Sequence, residues 1–189
     1  NFKVVLNGDG SDEIFMGYMY FHLAPDAETA GAESYRLMTH LYTHDGLRVD
    51  RNIANFGLEP RVPFEDKNLI TFVRNMNPNL LIPHNGIEKY ILRKSFEEIY
   101  KEDPILPQEV LWRRKEAFSD GISGKTESWH KTIKSYIENR YGVLEEDYYK
   151  TKFIEYFGSN SVDTIPFIWK QQWTDVQDPS ARELKMFDE

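Results

Sequence analysis

The sequence predicts a piece of an α/β domain with a parallel sheet, a chain that is itself mostly α-helical with one N-terminal strand. Phe2-Lys3-Val4-Val5-Leu6 is short, β-branched and nearly continuous in apolar character, as a buried parallel strand is. It runs straight into the turn Asn7-Gly8-Asp9-Gly10 and then into a helical pattern, the strand–turn–helix order of α/β units. Apolar residues at helical spacing dominate the rest of the chain. One strand cannot make a sheet, so strand 2–6 is expected to pair with strands outside this chain, which is then the C-terminal part of a larger domain.

Ser11 offers an N-cap to the first helix, with Asp12 and Glu13 in the first turn where the helix dipole favours acids. That helix is expected to continue from Ile14 through Phe21, apolar nearly all round and therefore buried, until Pro25 ends it. A second helical pattern covers 33–44. Asp45-Gly46 breaks it, and 47–56 continue helically as far as Gly57. Pro60 and Pro63 make 58–67 an ordered loop, since each removes a donor and biases its predecessor away from the helix. Asp66 is placed to cap a helix over 67–76. Residues 86–100 are strongly amphipathic, with Ile87, Tyr90, Ile91, Phe96 and Ile99 among the apolar positions. A short helix opened by Pro107 fits 107–115, and the polar, glycine-bearing 115–125 reads as a loop. Helical patterns return at 127–141, 145–157 and 161–173, and the tail 178–189 is expected to be exposed.

Composition narrows the function classes. Of 189 residues 40% are hydrophobic, with 12 Phe, 11 Tyr and 4 Trp, enough for a packed core. The formal net charge of −8 argues against a nucleic-acid partner, whose phosphates require a basic patch. The absence of cysteine excludes disulfides, thiolate zinc sites and a cysteine nucleophile within the chain, and is compatible with a reducing compartment, the cytoplasm being expected. No apolar run approaches the roughly 18 residues of a membrane span, so no membrane is expected as partner.

Three stretches can carry chemistry. In Leu6-Asn7-Gly8-Asp9-Gly10-Ser11-Asp12-Glu13 the glycines allow backbone to approach a ligand at the carboxyl end of a strand. Asp9 and Asp12 are hard oxygen donors suited to Mg2+ beside phosphate. The same residues also describe a tight turn with acids at a helix start, and both readings stand. Arg113, Arg114 and Lys115 bunch three cations beside a loop in an acidic chain. They fit either a site for developing negative charge or cations complementing a helix C-terminus. Arg61 and Asp66 around Pro63-Phe64 read as an ion pair and a cap. His40 and His44 have the spacing of two metal ligands but lack a third, and are read as structural. The aromatics Tyr148, Tyr149, Phe153 and Phe157 read as core or interface, and Glu145-Glu146-Asp147 as an acidic helix start.

Taken in order, these stretches resemble the C-terminal synthetase domain of the glutamine-hydrolysing asparagine synthetase family. NGDGSDEIFMGY at 7–18 is similar to that family's SGEGSDE(L/V)F.GY, and PRVPFEDK at 60–67 to ARVPFLDK. KYILR at 89–93, WRRKEAFSDG at 112–121 and WTDVQDPSAR at 173–182 follow in family order. The resemblance implies an adenine-nucleotide-alpha-hydrolase-like parallel sheet and an ATP-dependent ligase of asparagine biosynthesis. MgATP adenylates the β-carboxylate of aspartate and pyrophosphate leaves. Ammonia from a glutaminase domain outside this chain then displaces AMP. By position, Asn7 and Gly8 would contact the nucleotide, and Asp9 would sit at the acid associated with forming the adenylate. Asp12 would be the acid linked to Mg2+ and pyrophosphate, and Lys115 the lysine that stabilises the adenylation transition state.

The departures are specific. The family serine is Asn7, the family glutamate is Asp9, shorter by roughly 1.5 Å, and a leucine is Glu65, which implies a more exposed position. Neither the glutaminase domain nor an SGGLDSS-type pyrophosphate loop is in this chain, so the segment alone is expected to be inactive. A related adenylating amidotransferase acting on another acid, as in β-lactam synthetase relatives, is a close variant. A non-catalytic homologue serving as an interaction or scaffold module is the alternative from another class. Unpaired edges of strand 2–6 would favour association, compatible with a homo-oligomer.

Overall fold

The computed structural model describes residues 2–116, 128–164 and 170–175. Strand β1, Val4–Leu6, does have a partner within the chain. It pairs in parallel with β2, Glu59–Arg61, in the register Val4↔Glu59, Val5↔Pro60 and Leu6↔Arg61. Here the structure corrects the loop expected over 58–67. Glu59 N–H donates to Lys3 O and Asn7 N–H to Arg61 O, each at 2.8 Å. Alternate residues of β2 thus face β1, and the missing donor of Pro60 points away from the ladder. The expected burial of β1 is also corrected, because Leu6 is 76% and Val4 47% exposed.

Helix α1 is only Ser11–Ile14, not a run to Phe21. Its N-terminus is set by the left-handed Gly10 rather than by the Ser11 side chain, which lies inside the helix. Met16 turns left-handed at φ 51°, and Gly17 N–H closes back onto Asp12 O at 2.7 Å, which stops the helix. A 3-10 segment, Met19–Leu23, follows. Helix α2, Ala27–His40, starts earlier than the pattern, where the Asp26 side chain accepts the Thr29 N–H. Helix α3 is Asp45–Asn55 and helix α4 is Lys67–Arg74, the latter capped as expected by Asp66. Helix α5 begins at Tyr90 and ends at Ile99. The residues before it form a turn with Asn85, Gly86 and Lys89 all at positive φ. Helix α6 is Gln108–Leu111.

The chain divides into two compact units, Asn1–Lys115 with Gln171–Glu189, and Glu116–Lys170. In the first, Ile14, Phe15, Met16, Tyr20, Phe21, Ala30 and Val73 are buried. Tyr20 OH donates to Glu33 Oε1 at 2.7 Å, Arg36 Nε donates to Glu33 Oε2 at 2.7 Å, and Trp173 packs against Tyr20 and Phe21. The second unit contains α7, Trp129–Tyr141, and α8, Glu145–Phe157. Tyr141 and Tyr148 pack across their turn with ring centroids 4.6 Å apart, whereas Tyr149 and Phe157 are exposed. Of the helix expected over 161–173, residues 161–164 lie in a 3-10 segment, Ser159–Thr164, and 170–173 in irregular backbone, while 165–169 lie outside the described residues.

Candidate functional site

The site begins where β1 ends. Asn7 turns its side chain back into the loop, and its Oδ1 accepts the Asp9 N–H at 2.7 Å. The two glycines differ. A Cβ at Gly8 would meet nothing within 4 Å, so this backbone is open to a ligand. Gly10 has φ 85°, and a Cβ there would press 3.1 Å from Glu65 Cγ. It serves the turn and the close approach of 64–65 rather than a ligand.

Glu65 is not the exposed position that the sequence implied. It is half-buried, its Oε1 is buried without a hydrogen-bond partner, and burial followed by the Asp9 charge raises its pKa. Asp9 lies in a similar field. Burial first, then Asp45, raises its pKa against the opposing pull of Arg48, whose Nη2 is 3.8 Å from Asp9 Oδ2. That carboxylate oxygen is buried and accepts no hydrogen bond.

Asp12 is the centre of the arrangement. Lys115 Nζ donates to Asp12 Oδ2 at 3.1 Å, and Lys89 Nζ lies 2.9 Å from Oδ1. Burial would raise the Asp12 pKa, but Lys89 and then Lys115 outweigh it and hold the carboxyl below its usual range. Gly17 leaves room for this pairing. A Cβ at Gly17 would overlap Asp12 Oδ1 outright and sit 3.0 Å from Lys89 Cδ.

The neighbouring elements fix the two lysines. Lys115 lies beyond the end of α6, so it does not complement that helix's last turn. Trp112 Nε1 donates to Glu97 Oε1 at 2.9 Å and its ring packs on Tyr90, anchoring the segment to α5. Arg113 and Arg114 are exposed while Lys115 is half-buried. Lys89 precedes α5 in a left-handed backbone, φ 54°, and its Nζ also reaches Ser11 Oγ at 3.3 Å. In the sequence Lys89 belongs to the KYILR motif but has no evident role. A lone lysine before an amphipathic helix carries no signal of a contact with residue 12.

Beside Asp12, Glu13 is buried and pushed up to about 7, burial outweighing the hydrogen bond it accepts from Tyr18 OH at 2.5 Å. The remaining candidates are structural in form. Arg61 pairs with Glu59 at 2.6 Å rather than with Asp66. His40 Nδ1 lies 2.8 Å from Arg36 O one turn back on α2. Residues 118–121 and 178–182, which carry FSDG and DPSAR, lie outside the described residues.

A family model for asparagine synthase matches the chain in two overlapping stretches, residues 1–31 and 24–174. The chain belongs to the asparagine synthase family. Among curated relatives, asparagine synthetase [glutamine-hydrolyzing] of Gallus gallus is 41% identical over 200 residues, covering 97% of this chain. The proteins of the same name from Bos taurus and Homo sapiens are each 40% identical over 197 residues, covering 96% of this chain. The chain spans about a third of the length of these relatives, 34% to 35%. The mostly helical architecture with a small parallel sheet is consistent with an α/β fold for this asparagine synthase family chain. No helix among its described residues is long and apolar enough to cross a membrane.

Proposed function

We propose that this chain is the C-terminal part of an ATP-dependent asparagine synthetase domain of the adenine-nucleotide-alpha-hydrolase type. The observation that carries the reading is the meeting of Lys115 with Asp12, residues 103 positions apart in the chain. Both belong to motifs shared with the family, and Asp12 lies four residues after Gly8, whose backbone is open.

In this reading the glutaminase domain and the pyrophosphate loop lie outside the chain. Gly8 backbone and Asn7 receive the nucleotide. A β-carboxylate oxygen of aspartate attacks the α-phosphorus of ATP and pyrophosphate departs. Ammonia then adds to the acyl carbon and AMP leaves, giving asparagine. Lys115 offsets the charge that develops between carboxylate and α-phosphate, a preorganised cation in a half-buried site. Lys89 adds a second positive charge on the other oxygen of Asp12.

The donor set accommodates Mg2+ as a partner of phosphate rather than as a stand-alone site. Asp12 provides one carboxylate that two ammonium groups now neutralise, and Asp9 Oδ2 is buried without a hydrogen-bond partner. Phosphate oxygens would draw the lysines from Asp12 and leave its hard oxygens for the ion. Bound there, Mg2+ supplies neutralisation of phosphate charge.

Aspartate-dependent exchange of pyrophosphate into ATP by the full-length protein tests the reading. Exchange is expected, falling about a hundredfold or more in Lys115→Ala. A folded protein that exchanges with no amino acid would overturn it and favour a non-catalytic homologue, the reading to which the Asp9 replacement points. Exchange with another acid alone would assign a related adenylating enzyme.

A further inference from the structure

Two lysines on one carboxylate raise the question of what holds them there. Both lead to Glu88, the fully buried residue next to Lys89, whose relative exposure is 0%. A carboxylate so enclosed is costly unless several groups compensate it. His22 Nε2 lies 2.7 Å from Glu88 Oε1. Its other oxygen, Oε2, is buried without a hydrogen-bond partner, so the charge leans on His22 against the cost of burial. The Glu88 carbonyl accepts Arg93 Nε at 2.9 Å, and Arg93 Nη1 donates onward to Leu111 O at 2.5 Å. This one buried residue therefore ties together three segments: the 3-10 segment carrying His22 through its carboxylate, the left-handed turn carrying Lys89 through its own backbone, and, through Arg93, the end of α6 that leads to Lys115.

We infer that Glu88, oriented by His22, is the positioning residue that sets Lys89 and Lys115 against Asp12. This rests on the reading of Lys115 given above. Glu88 touches no substrate in this arrangement, because its side chain is wholly enclosed. It acts by fixing the backbone at Lys89, whose left-handed conformation is disfavoured for a residue with a side chain, and, through Arg93, by tying the end of α6 that leads to Lys115 to the same turn. Small displacements of a charge-stabilising group have large kinetic effects, so the dependence of rate on Glu88 should be steep.

The test uses the full-length protein and aspartate-dependent ATP–pyrophosphate exchange. Glu88→Gln keeps the volume and removes the charge that pairs with His22 and anchors the turn. It is expected to lower kcat about tenfold or more while shifting the KM for aspartate by less than about threefold. If Glu88 works through Lys115, the same substitution added to Lys115→Arg should cost less than about threefold. Equal losses in both backgrounds, or an unchanged kcat in a folded Glu88→Gln protein, would overturn the inference. Should Glu88→Gln fail to fold, the His22 pair decides. His22→Phe should lose rate, and His22→Gln, whose amide N–H replaces the ring donor, should restore most of it. Equal rates for two folded His22 variants would overturn it. If Lys115→Ala retains full exchange, the reading of the site falls and takes this inference with it; loss in Lys115→Ala with no effect at Glu88 removes only the positioning role.

Discussion

Gly17 is the residue that gives Asp12 and Lys89 room to meet. The constraint is spatial rather than conformational, since a Cβ would overlap the Asp12 carboxylate and crowd the Lys89 side chain. Gly17→Ala is expected to destabilise by about 1–3 kcal/mol in a denaturant titration, the usual cost of overpacking. It should also lower aspartate-dependent exchange, because the added methyl displaces the Asp12 carboxylate itself. Gly8→Ala, with nothing within 4 Å of the added methyl, should change stability by less than about 0.5 kcal/mol in the same titration. Asp9 makes the opposite trade. Its folded pKa is raised, mainly by burial, so its charged form is disfavoured in the fold. Its contribution to stability is complete below the ordinary carboxyl pKa of 3.8 and is lost as pH rises through the raised folded value. Asp9→Asn should therefore raise the melting temperature at neutral pH and flatten its fall across the acidic range. Arg48, which is 62% exposed, loses little with its distant partner. The same variant should lose exchange activity if Asp9 serves the adenylation. A lower melting temperature at neutral pH would contradict the assigned cost of that charge.

The cap of α4 was among the most legible features. Asp66 caps α4 by accepting the N–H groups of Asn68 and Leu69 at 2.9 and 3.1 Å, as its place before an apolar run requires. Asp66→Ala should cost about 1 kcal/mol by chemical unfolding, with the rest of the chain unchanged. An effect below about 0.3 kcal/mol would mean that water replaces the cap fully. The acids at the start of α1, the amphipathic α5 and the acidic start of α8 were legible for the same reason, being local chemistry at fixed spacing. What escaped the sequence depended on distant segments. The apolar run after Ile14 looked helical to Phe21, but Met16 leaves the helical region where Gly17 folds back on Asp12. Pro60 masked β2, because a proline argues against a strand until one sees that its missing donor faces away from β1. Glu65 looked exposed from its charge, whereas the close approach of Gly10 half-buries it. At the candidate site, the motifs point to Asp9, Asp12 and Lys115, and the structure brings Lys115 to Asp12. Lys89, Glu88 and His22 join them only through long-range contacts that no periodicity encodes.

Across the molecule, the apolar surface left uncovered is as informative as the core. The sheet has two strands among the described residues, and Phe2 and Leu6 at its end are 73% and 76% exposed. Phe56, Ile99, Tyr156 and Phe157, on other elements, are each at least 69% exposed. Two paired strands are marginal alone, and an exposed apolar strand is a template for further pairing. Residues 1–189, prepared without any further sequence, should therefore associate despite a net charge of −8 that opposes contact. Sedimentation velocity should give species above the 22.3 kDa monomer, increasing with concentration and with salt as charge repulsion is screened. Leu6→Lys places a charge on the exposed end of β1 and should shift the distribution toward monomer, since lysine on an edge strand disfavours added strands. Leu6→Lys with unchanged association would locate the contact on the other exposed aromatics, whereas a monodisperse, cooperatively unfolding monomer of residues 1–189 would show that this surface needs no partner.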